Sequence, residues 1–309
     1  MARSKEKAEE AKHQVQSVVL SSGGPKCGKV IPLVCDHSSL KSVHQFAADL
    51  RDTVKTMDVS NGHSTGGHGV IDVICLNAAM IAPADSKPQF TNDDMEITFQ
   101  TNHMAPFLIM NLIHDLIAPG GRVVVTSSGL HNGQSFHDFT GIVVDPATGK
   151  ATPRFDTLNG NDFHYKKTYA LSKLCNTAFC MALNRRLETK QRGIVDNCFT
   201  PGLITTTGLF RHQNQWLMPF FTLFANNVMS FGSTVEWGGG ALAWMAVADE
   251  AGKQGGQYWK SPAGASHRDP TYGESFCAST MSTEATSEEN QERLWALSAE
   301  LAGISKDLF

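Results

Sequence analysis

The sequence lacks several features that would assign it to particular classes of protein. No apolar run approaches the ~20 residues needed to span a bilayer, and residues 1–14 lack the apolar region of a secretory signal. Acidic residues in that stretch also disfavour a transit peptide. The formal net charge is only -4 at pH 7, so the composition provides no general attraction to nucleic acid. We therefore expect no nucleic-acid partner.

The cysteines and histidines do not have the spacing of a metal site. None of the seven cysteines forms a C-x-x-C pair, and most lie in apolar runs, where a free thiol packs as a small hydrophobic group. His63 and His68, and likewise His131 and His137, lie in glycine-rich or polar stretches typical of solvated loops. These patterns predict a reducing compartment and no bound metal.

Apolar runs typical of strands alternate with helical patterns along the chain. We predict strands at residues 30–34, 70–76, 123–126, 194–199 and 256–259. We predict helices at about 40–57, 92–117, 165–190, 235–248 and 288–301. This alternation indicates an α/β fold with a doubly wound parallel sheet of the Rossmann type, in a single domain. Residues 129–163 and 203–231 have no clear period and are expected to be irregular.

One predicted helix carries the pair of side chains that most suggests chemistry. Tyr169 and Lys173 are one turn apart on the same helix face, whereas Tyr165 has Tyr169 one turn on. A free phenol has a pKa of ~10, and a nearby cation favours the phenolate. At ~4 Å and an effective dielectric of ~20 the attraction is about 4 kcal/mol, at most roughly three pKa units. We therefore predict that Lys173 brings Tyr169 into the general-acid range.

Polar and small residues follow three of the predicted strands. They are Ser128, then Asn77, Ala78 and Ala79, and then Pro201 and Gly202. Because the carboxyl ends of parallel strands meet in the crevice where α/β sheets bind ligands, we expect these residues to converge with Tyr169 and Lys173.

Taken in chain order, these residues resemble the short-chain dehydrogenases and reductases, and the resemblance covers nearly the whole chain. It implies that Tyr169 donates a proton and that Lys173 lowers the Tyr169 pKa and holds the nicotinamide ribose. It further implies that Ser128 orients the substrate and that Asn102 supports a water-linked proton path.

The same resemblance implies NADPH as cofactor. The residues that would bind it are Arg3, Asp36, Asn77, Ala78, Ala79, Tyr169, Lys173, Pro201, Gly202, Ile204 and Thr206. Asp36, which follows the strand at residues 30–35, would meet the adenine ring. Arg3 would meet the 2′-phosphate that distinguishes NADPH from NADH, because a guanidinium matches phosphate geometry.

Within that family the chain most resembles the light-dependent protochlorophyllide reductases. The resemblance is carried by residues 3–9, 101–103, 107–108, 206–211, 257–259 and 294–298, and residues 201–211 are the most specific. Such enzymes reduce the ring D double bond of protochlorophyllide with a hydride from NADPH and a proton, and the bound pigment absorbs the light. The resemblance implies a small-molecule substrate, namely a tetrapyrrole, and a plastid or other photosynthetic setting.

The chain also departs from that family in three places. Leu203 stands where those enzymes usually have cysteine, and Pro106 lies inside the predicted helix at 92–117, which it should bend or interrupt. No Gly-x-x-x-Gly-x-Gly loop or first strand precedes Met1, so we expect an N-terminally incomplete domain without its phosphate cradle. Residues 21–24 and 66–67 do not replace that loop, since neither stretch joins a strand to a helix.

Other functions stay open at this stage. An NADPH-dependent carbonyl reductase or retinol-type dehydrogenase uses the same four catalytic residues. A catalytically silent binding protein is a further alternative, because the glycine-rich loop is missing. The apolar residues 216–224 predict a lid over a large substrate, a helix that touches a membrane, or a packed surface helix. The oligomeric state is not indicated by the sequence.

Overall fold

Seven strands are present in the computed structural model, which describes residues 1–21, 28–60, 70–83, 87–136, 139–144, 151–155, 163–210, 233–261 and 276–309. They are β1 (Ile71–Leu76), β2 (Ile117–Thr126), β3 (Phe139–Val144), β4 (Ala151–Phe155), β5 (Val195–Phe199), β6 (Tyr258–Lys260) and β7 (Cys277–Ser279). One sheet has the order β1-β2-β5-β6-β7, in which only β7 is antiparallel to its neighbour. This arrangement confirms the predicted parallel α/β sheet.

Helices connect the parallel strands. The longer ones are α1 (Lys5–Ser21), α2 (Leu40–Ser60), α3 (Ile97–Phe99, continued by a π-helical turn at Gln100–Met104 and by Ala105–Ile113), α4 (Tyr165–Thr189), α5 (Val235–Val247) and α8 (Glu288–Leu301). The short helices are α6 (Asp249–Gly252) and α7 (Thr283–Thr286), and 3₁₀ turns occur at His114–Leu116, Gly129–His131 and Gly208–Phe210.

Helices pack on both faces of the sheet, and β2 shows this most directly. Val123 and Val125 belong to the large apolar cluster that includes α4 and α8. Val124 belongs to a second cluster, with Trp237 of α5 and Trp259 of β6. Because successive side chains of a strand point to opposite faces, the two clusters lie on opposite sides of the sheet. A central strand buried on both sides reads as a continuous apolar run, as the sequence of β2 does.

The N-terminal residues pair with residues 33–35 and not with the five-stranded sheet. The Ala2 N–H donates to the Leu33 carbonyl at 3.1 Å, and the Cys35 N–H donates to the Ala2 carbonyl at 2.9 Å. The strand predicted at residues 30–34 is therefore reduced to an isolated bridge between Ala2 and Val34. Among the described residues no strand pairs with the outer edge of β1.

The interruption predicted near Pro106 is confirmed. Proline has no N–H to donate to the carbonyl of Asn102, four residues earlier. In α3 the Ala105 N–H instead donates to Gln100, five residues earlier, and the next helical segment begins with Pro106 in its first turn. The π-helical turn thus accommodates the proline while the helix continues.

Several predicted boundaries are wrong. The helix predicted at 92–117 begins only at Ile97 and ends at Ile113. Residues 119–121 lie inside β2, where Gly120 has φ 74. The pairing of β2 with β1 shifts register in this part of the strand. Residues 129–163, predicted as irregular, contain the antiparallel pair β3 and β4. The sequence also gave no prediction of α1, α7 or β7.

Some predictions fall outside the described residues. These include the apolar stretch at 216–224, the glycines at 66–67, and His63, His68 and His137. Within the described part, no helix is sufficiently long and apolar to cross a membrane, and no group of three or more His, Cys, Asp or Glu side chains could hold a metal ion.

Candidate active site

The carboxyl ends of β1, β2 and β5 open into one pocket of about 460 Å³. Nine of the residues predicted from the sequence line it, namely Asn77, Ala78, Ala79, Ser128, Tyr169, Lys173, Pro201, Gly202 and Ile204. The predicted convergence of three strand ends and the Tyr/Lys helix is therefore present in the structure.

A second pocket, of about 190 Å³, lies beside the first. Arg3 and Asp36 line it, and it shares Ala78 and Ala79 with the larger pocket. The two pockets together form one cleft across the end of the sheet. Arg3 and Asp36 stand at one end of this cleft, and Tyr169 and Lys173 stand at the other.

The hydroxyl groups of Tyr169 and Ser128 contact each other in the larger pocket. Both side chains line this pocket, and the Ser128 side chain acts on the Tyr169 phenol so as to lower its pKa. Ser128 also caps the 3₁₀ turn at Gly129–His131, where the Leu130 N–H donates to Ser128 Oγ at 3.3 Å. The Tyr169 side chain is held by burial, since the residue is 7% exposed. Two hydroxyls are therefore available to the same atom of a ligand.

Lys173 is buried without a described carboxylate partner. It is 1% exposed, its Nζ donates to the Thr126 carbonyl at 2.8 Å, and the Nζ lies 5.7 Å from the centre of the Tyr169 ring. Burial disfavours the ammonium form and lowers the pKa of Lys173 to about 7. A lysine in a cleft whose pKa lies this close to neutral pH is typical of a functional site.

The pKa of Tyr169 differs from the sequence prediction. Burial raises the pKa of Tyr169 to about 12, and the hydrogen bond with Ser128 offsets only part of that increase. Lys173 does not lower the Tyr169 pKa as expected. Burial lowers the pKa of Lys173 as well, so the lysine loses its proton and its positive charge more readily. Tyr169 consequently keeps its proton at neutral pH, which is the state that a proton donor requires.

Asn102 acts on the backbone around the pocket. The Met80 N–H donates to Asn102 Oδ1 at 2.8 Å, and Asn102 Nδ2 donates to the Met80 carbonyl at 2.9 Å and to Ser172 Oγ at 3.0 Å. Ser172 in turn donates to the carbonyl of Tyr169 at 2.7 Å. Asn102 is not among the described residues that line the pocket. Its contacts join the turn after β1 to α4, and the predicted proton path through Asn102 stays a prediction.

Thr206 is not where the sequence prediction placed it. Thr206 is exposed and lines neither pocket, whereas the next residue, Thr207, lines the larger one. The turn after Pro201 causes this difference: the Thr207 hydroxyl donates back to the Ile204 carbonyl at 3.1 Å, which brings Thr207 inward. Leu203 also lines neither pocket, and its carbonyl accepts a hydrogen bond from the Ser233 N–H at 2.8 Å.

Sequence reasoning missed the wall that α5 contributes. Val235, Gly238, Gly239 and Leu242 line the larger pocket. A Cβ at Gly238 would lie 2.3 Å from Ile204 Cδ1, so the helix approaches the loop after β5 as closely as it does only because residue 238 has no side chain. The signal was available, since three consecutive glycines at 238–240 are unfavourable inside a helix unless something packs closely against them.

Comparison with known proteins supports the family resemblance. No protein-family model matches the chain. The chain is 29% identical over 276 residues to the WW domain-containing oxidoreductase of Pongo abelii, and 27% identical over 285 residues to the chloroplastic protochlorophyllide reductase of Pisum sativum. These matches cover 88% and 87% of the chain. These similarities support assignment of the chain to the short-chain dehydrogenase/reductase family.

A solved structure of the family shares the fold. The short-chain dehydrogenase of Burkholderia cenocepacia J2315, determined in complex with NADP, superposes with a TM-score of 0.51 at 19% identity and covers 83% of this chain and 82% of its own. The chain spans 55% of the WW domain-containing oxidoreductase and 64% of the Pisum sativum reductase. The shared part thus contains this family's fold and not the full length of those two relatives.

Proposed function

We propose that this chain is an NADPH-dependent oxidoreductase in which Tyr169 donates the proton. The observation that carries the proposal is the convergence of Tyr169, Ser128 and Lys173 at one end of a cleft whose other end holds Arg3 and Asp36. The names of the relatives, an oxidoreductase and a reductase, and the NADP bound to the Burkholderia cenocepacia enzyme support it.

The residues of the cleft fit the two ends of a nicotinamide dinucleotide. Lys173 uses one of its three N–H groups for the Thr126 carbonyl, which leaves two for ribose hydroxyls. The exposed guanidinium of Arg3 suits a 2′-phosphate. Ala78 and Ala79, where the two pockets meet, have side chains small enough for a close approach by the ligand. The bound cofactor supplies the hydride.

The protein side chains supply and stabilise the proton transfer. Tyr169 is protonated at neutral pH, and its hydroxyl donates to the substrate atom that becomes negative as hydride arrives. The interaction with Ser128 strengthens as the phenol becomes a phenolate, because it favours the charged form of Tyr169. The substrate gains one hydride and one proton, and Tyr169 then takes up a proton from solvent.

Protochlorophyllide is the first substrate that we propose. The resemblance at residues 206–211 and the similarity to the Pisum sativum reductase support it, although residue 211 lies outside the described part of the chain. In that reaction the hydride and the proton add across one carbon–carbon double bond of the pigment, and light absorbed by the pigment starts the step. A photosynthetic compartment is part of this proposal.

Reduction of a carbonyl group, including retinal-type aldehydes, is the second candidate. The pairing of Tyr169 with Ser128 favours it, because Tyr169 can donate to a carbonyl oxygen as negative charge develops there while Ser128 favours the phenolate left behind. The similarity to the WW domain-containing oxidoreductase supports oxidoreductase chemistry.

One set of measurements separates these candidates. NADPH binding is measured first by calorimetry, and turnover is then followed with protochlorophyllide in light and in darkness, and with retinal in darkness. A pigment absorbance shift only after illumination supports the first candidate, and dark loss of NADPH absorbance with retinal supports the second. Binding without either reaction would indicate a silent binding protein. A chain that binds no NADPH would refute the proposal as a whole.

A further inference from the structure

A buried histidine holds the backbone of Ser128. His131 is 0% exposed, and its Nδ1 lies 2.7 Å from the Ser128 carbonyl oxygen. The His131 backbone N–H donates to the same oxygen at 3.1 Å. The carbonyl of Ser128 is thus held by two donors from one residue, while its Oγ caps the turn and reaches Tyr169.

The partners of the His131 ring determine its tautomer. A carbonyl oxygen can only accept, so Nδ1 carries the proton and donates it to Ser128. The Ser282 N–H donates to Nε2 at 3.5 Å, so Nε2 is an acceptor and carries no proton. The imidazole is therefore neutral, with both nitrogens engaged, and burial favours the same neutral form by lowering the pKa of His131.

Tyr258 holds the other side of this imidazole. The two rings meet edge to face, with centroids 4.7 Å apart. Tyr258 lies in β6 and is 0% exposed. Its hydroxyl faces Gly129, where an added Cβ would lie 3.9 Å from it. The ring pair thus connects the turn after β2 with β6 and, through Ser282, with the start of α7.

We infer that His131 is a positioning residue for the reaction of this site: its Nδ1–H holds the Ser128 carbonyl so that the Ser128 side chain stays beside Tyr169 in the pocket, and Tyr258 keeps the imidazole in place. This inference rests on the proposed function, since it concerns the same proton donor. The physical reason is that Ser128 lies two residues beyond the end of β2, where the sheet no longer restrains its backbone. Without the Nδ1–H the Ser128 carbonyl loses its shortest hydrogen bond, and the Ser128 hydroxyl is free to turn away from Tyr169.

Three substitutions separate the donor from the ring. His131→Phe keeps the ring against Tyr258 and removes the donor, whereas His131→Asn keeps an amide N–H near the Nδ1 position. His131→Gln places its amide near the Nε2 position and serves as a second variant without the Ser128 donor. We expect His131→Phe and His131→Gln to lower kcat about tenfold to a hundredfold with the KM for NADPH unchanged, because small misplacements of reacting groups have effects of that size. His131→Asn should restore kcat to within a few-fold of the wild type.

A double-mutant cycle with Ser128→Ala tests whether His131 acts through Ser128. If it does, His131→Phe or His131→Gln in the Ser128→Ala background causes little further loss of kcat. Wild-type kcat in both donor-less variants, an equal loss in His131→Asn, or full additivity in the cycle would overturn the inference. A merely structural role gives additive losses and no rescue by asparagine.

A second readout does not depend on activity. Because His37 and His114 also have Nδ1 on a backbone carbonyl, spectra of the ¹⁵N-histidine-labelled wild-type protein should show several neutral histidines protonated at Nδ1, of which one disappears in His131→Phe. A proton on Nε2 of His131 would overturn the inference even if the enzyme turns over. If wild-type protein with NADPH reduces neither pigment nor aldehyde, the proposed function fails. The tautomer of His131 then still tests whether its Nδ1–H donates to the Ser128 carbonyl.

Discussion

The two ends of the cleft are built in different ways. At the reaction end, Tyr169 and Lys173 are 7% and 1% exposed and project from α4, whose apolar residues belong to the main core. At the other end Arg3 is exposed, and its segment is tied to residues 33–35 by the two backbone hydrogen bonds of Ala2. The reaction end is therefore held by packing, and the Arg3 end by a few hydrogen bonds at the surface.

This difference suits what each end is proposed to do. Moving the pKa of a phenol or an amine by several units requires burial, which is available only inside the core. Recognition of a phosphate requires a full positive charge, which a solvated guanidinium retains without a desolvation penalty. Substitutions at the reaction end should therefore change rate and pH dependence, and those at the Arg3 end should change the choice of cofactor.

The largest effect is expected for Tyr169→Phe. Removal of the hydroxyl should lower kcat about 10³-fold, the usual contribution of a positioned proton donor, while NADPH affinity changes only a few-fold. Tyr165→Phe, one turn earlier in α4, is the matched control and should keep nearly full activity. Steady-state turnover and calorimetric titration with NADPH provide the two measurements. Normal turnover by Tyr169→Phe would show that the reaction end does not supply the proton through Tyr169.

Lys173→Met should alter the pH dependence of stability. Burial lowers the pKa of Lys173 from its ordinary value of 10.5 to about 7. Between these pH values the unfolded chain binds more protons than the folded chain, so Lys173 makes the free energy of unfolding rise with pH. Below pH 7 Lys173 destabilises the folded chain by its full amount. From pH 7 to pH 9 the wild type should therefore gain about 2 kcal/mol of unfolding free energy relative to Lys173→Met.

Urea denaturation at the two pH values measures this gain. Lys166→Met, which removes an exposed lysine from the same helix, should show no such relative change. Parallel stability changes in the wild type and Lys173→Met would mean that Lys173 is better solvated than its burial indicates.

Arg3→Asp should change cofactor preference. Loss of one charge-assisted contact and addition of a like charge should weaken NADPH binding about tenfold or more, with a much smaller effect on NADH. Lys7→Asp makes the same change of charge in the exposed part of α1 and controls for general electrostatic attraction. Dissociation constants for both cofactors decide the outcome. Equal losses for NADPH and NADH would show that Arg3 does not read the 2′-phosphate.

The smallest effects are expected for two neighbouring glycines of α5. Gly238→Ala places a methyl group 2.3 Å from Ile204 Cδ1 and should push Ile204 into the pocket, weakening NADPH binding several-fold. Gly239 has nothing within 4 Å of an added Cβ, so Gly239→Ala should raise the free energy of unfolding by up to about 1 kcal/mol. Thermal melts and NADPH titrations of the pair give the test, and the same response from both variants would contradict the close contact between α5 and Ile204.

Periodic elements were predictable because their signals are local. The helix predicted at 288–301 has the bounds of α8, and the helix predicted at 165–190 places Tyr169 and Lys173 on one face, as in α4. The bend at Pro106 was predictable for a similar reason, since a missing N–H affects only the neighbouring turn. Where the pattern was weak, as in the largely polar α1 or in β3 and β4, no element was predicted.

The amino-acid sequence by itself determined the order of strands and helices, the spacing of Tyr169 and Lys173, and the presence of Ser128 at a strand end, because all three follow from nearest-neighbour geometry along the backbone. Only the tertiary structure decided that Thr207 and not Thr206 faces the pocket, that α5 supplies one wall, and that His131 lies on Ser128. It also decided the direction of the Tyr169 pKa shift. Burial is a sum over segments far apart in the chain, so the desolvation that outweighs a neighbouring lysine is set only when the sheet and helices pack together.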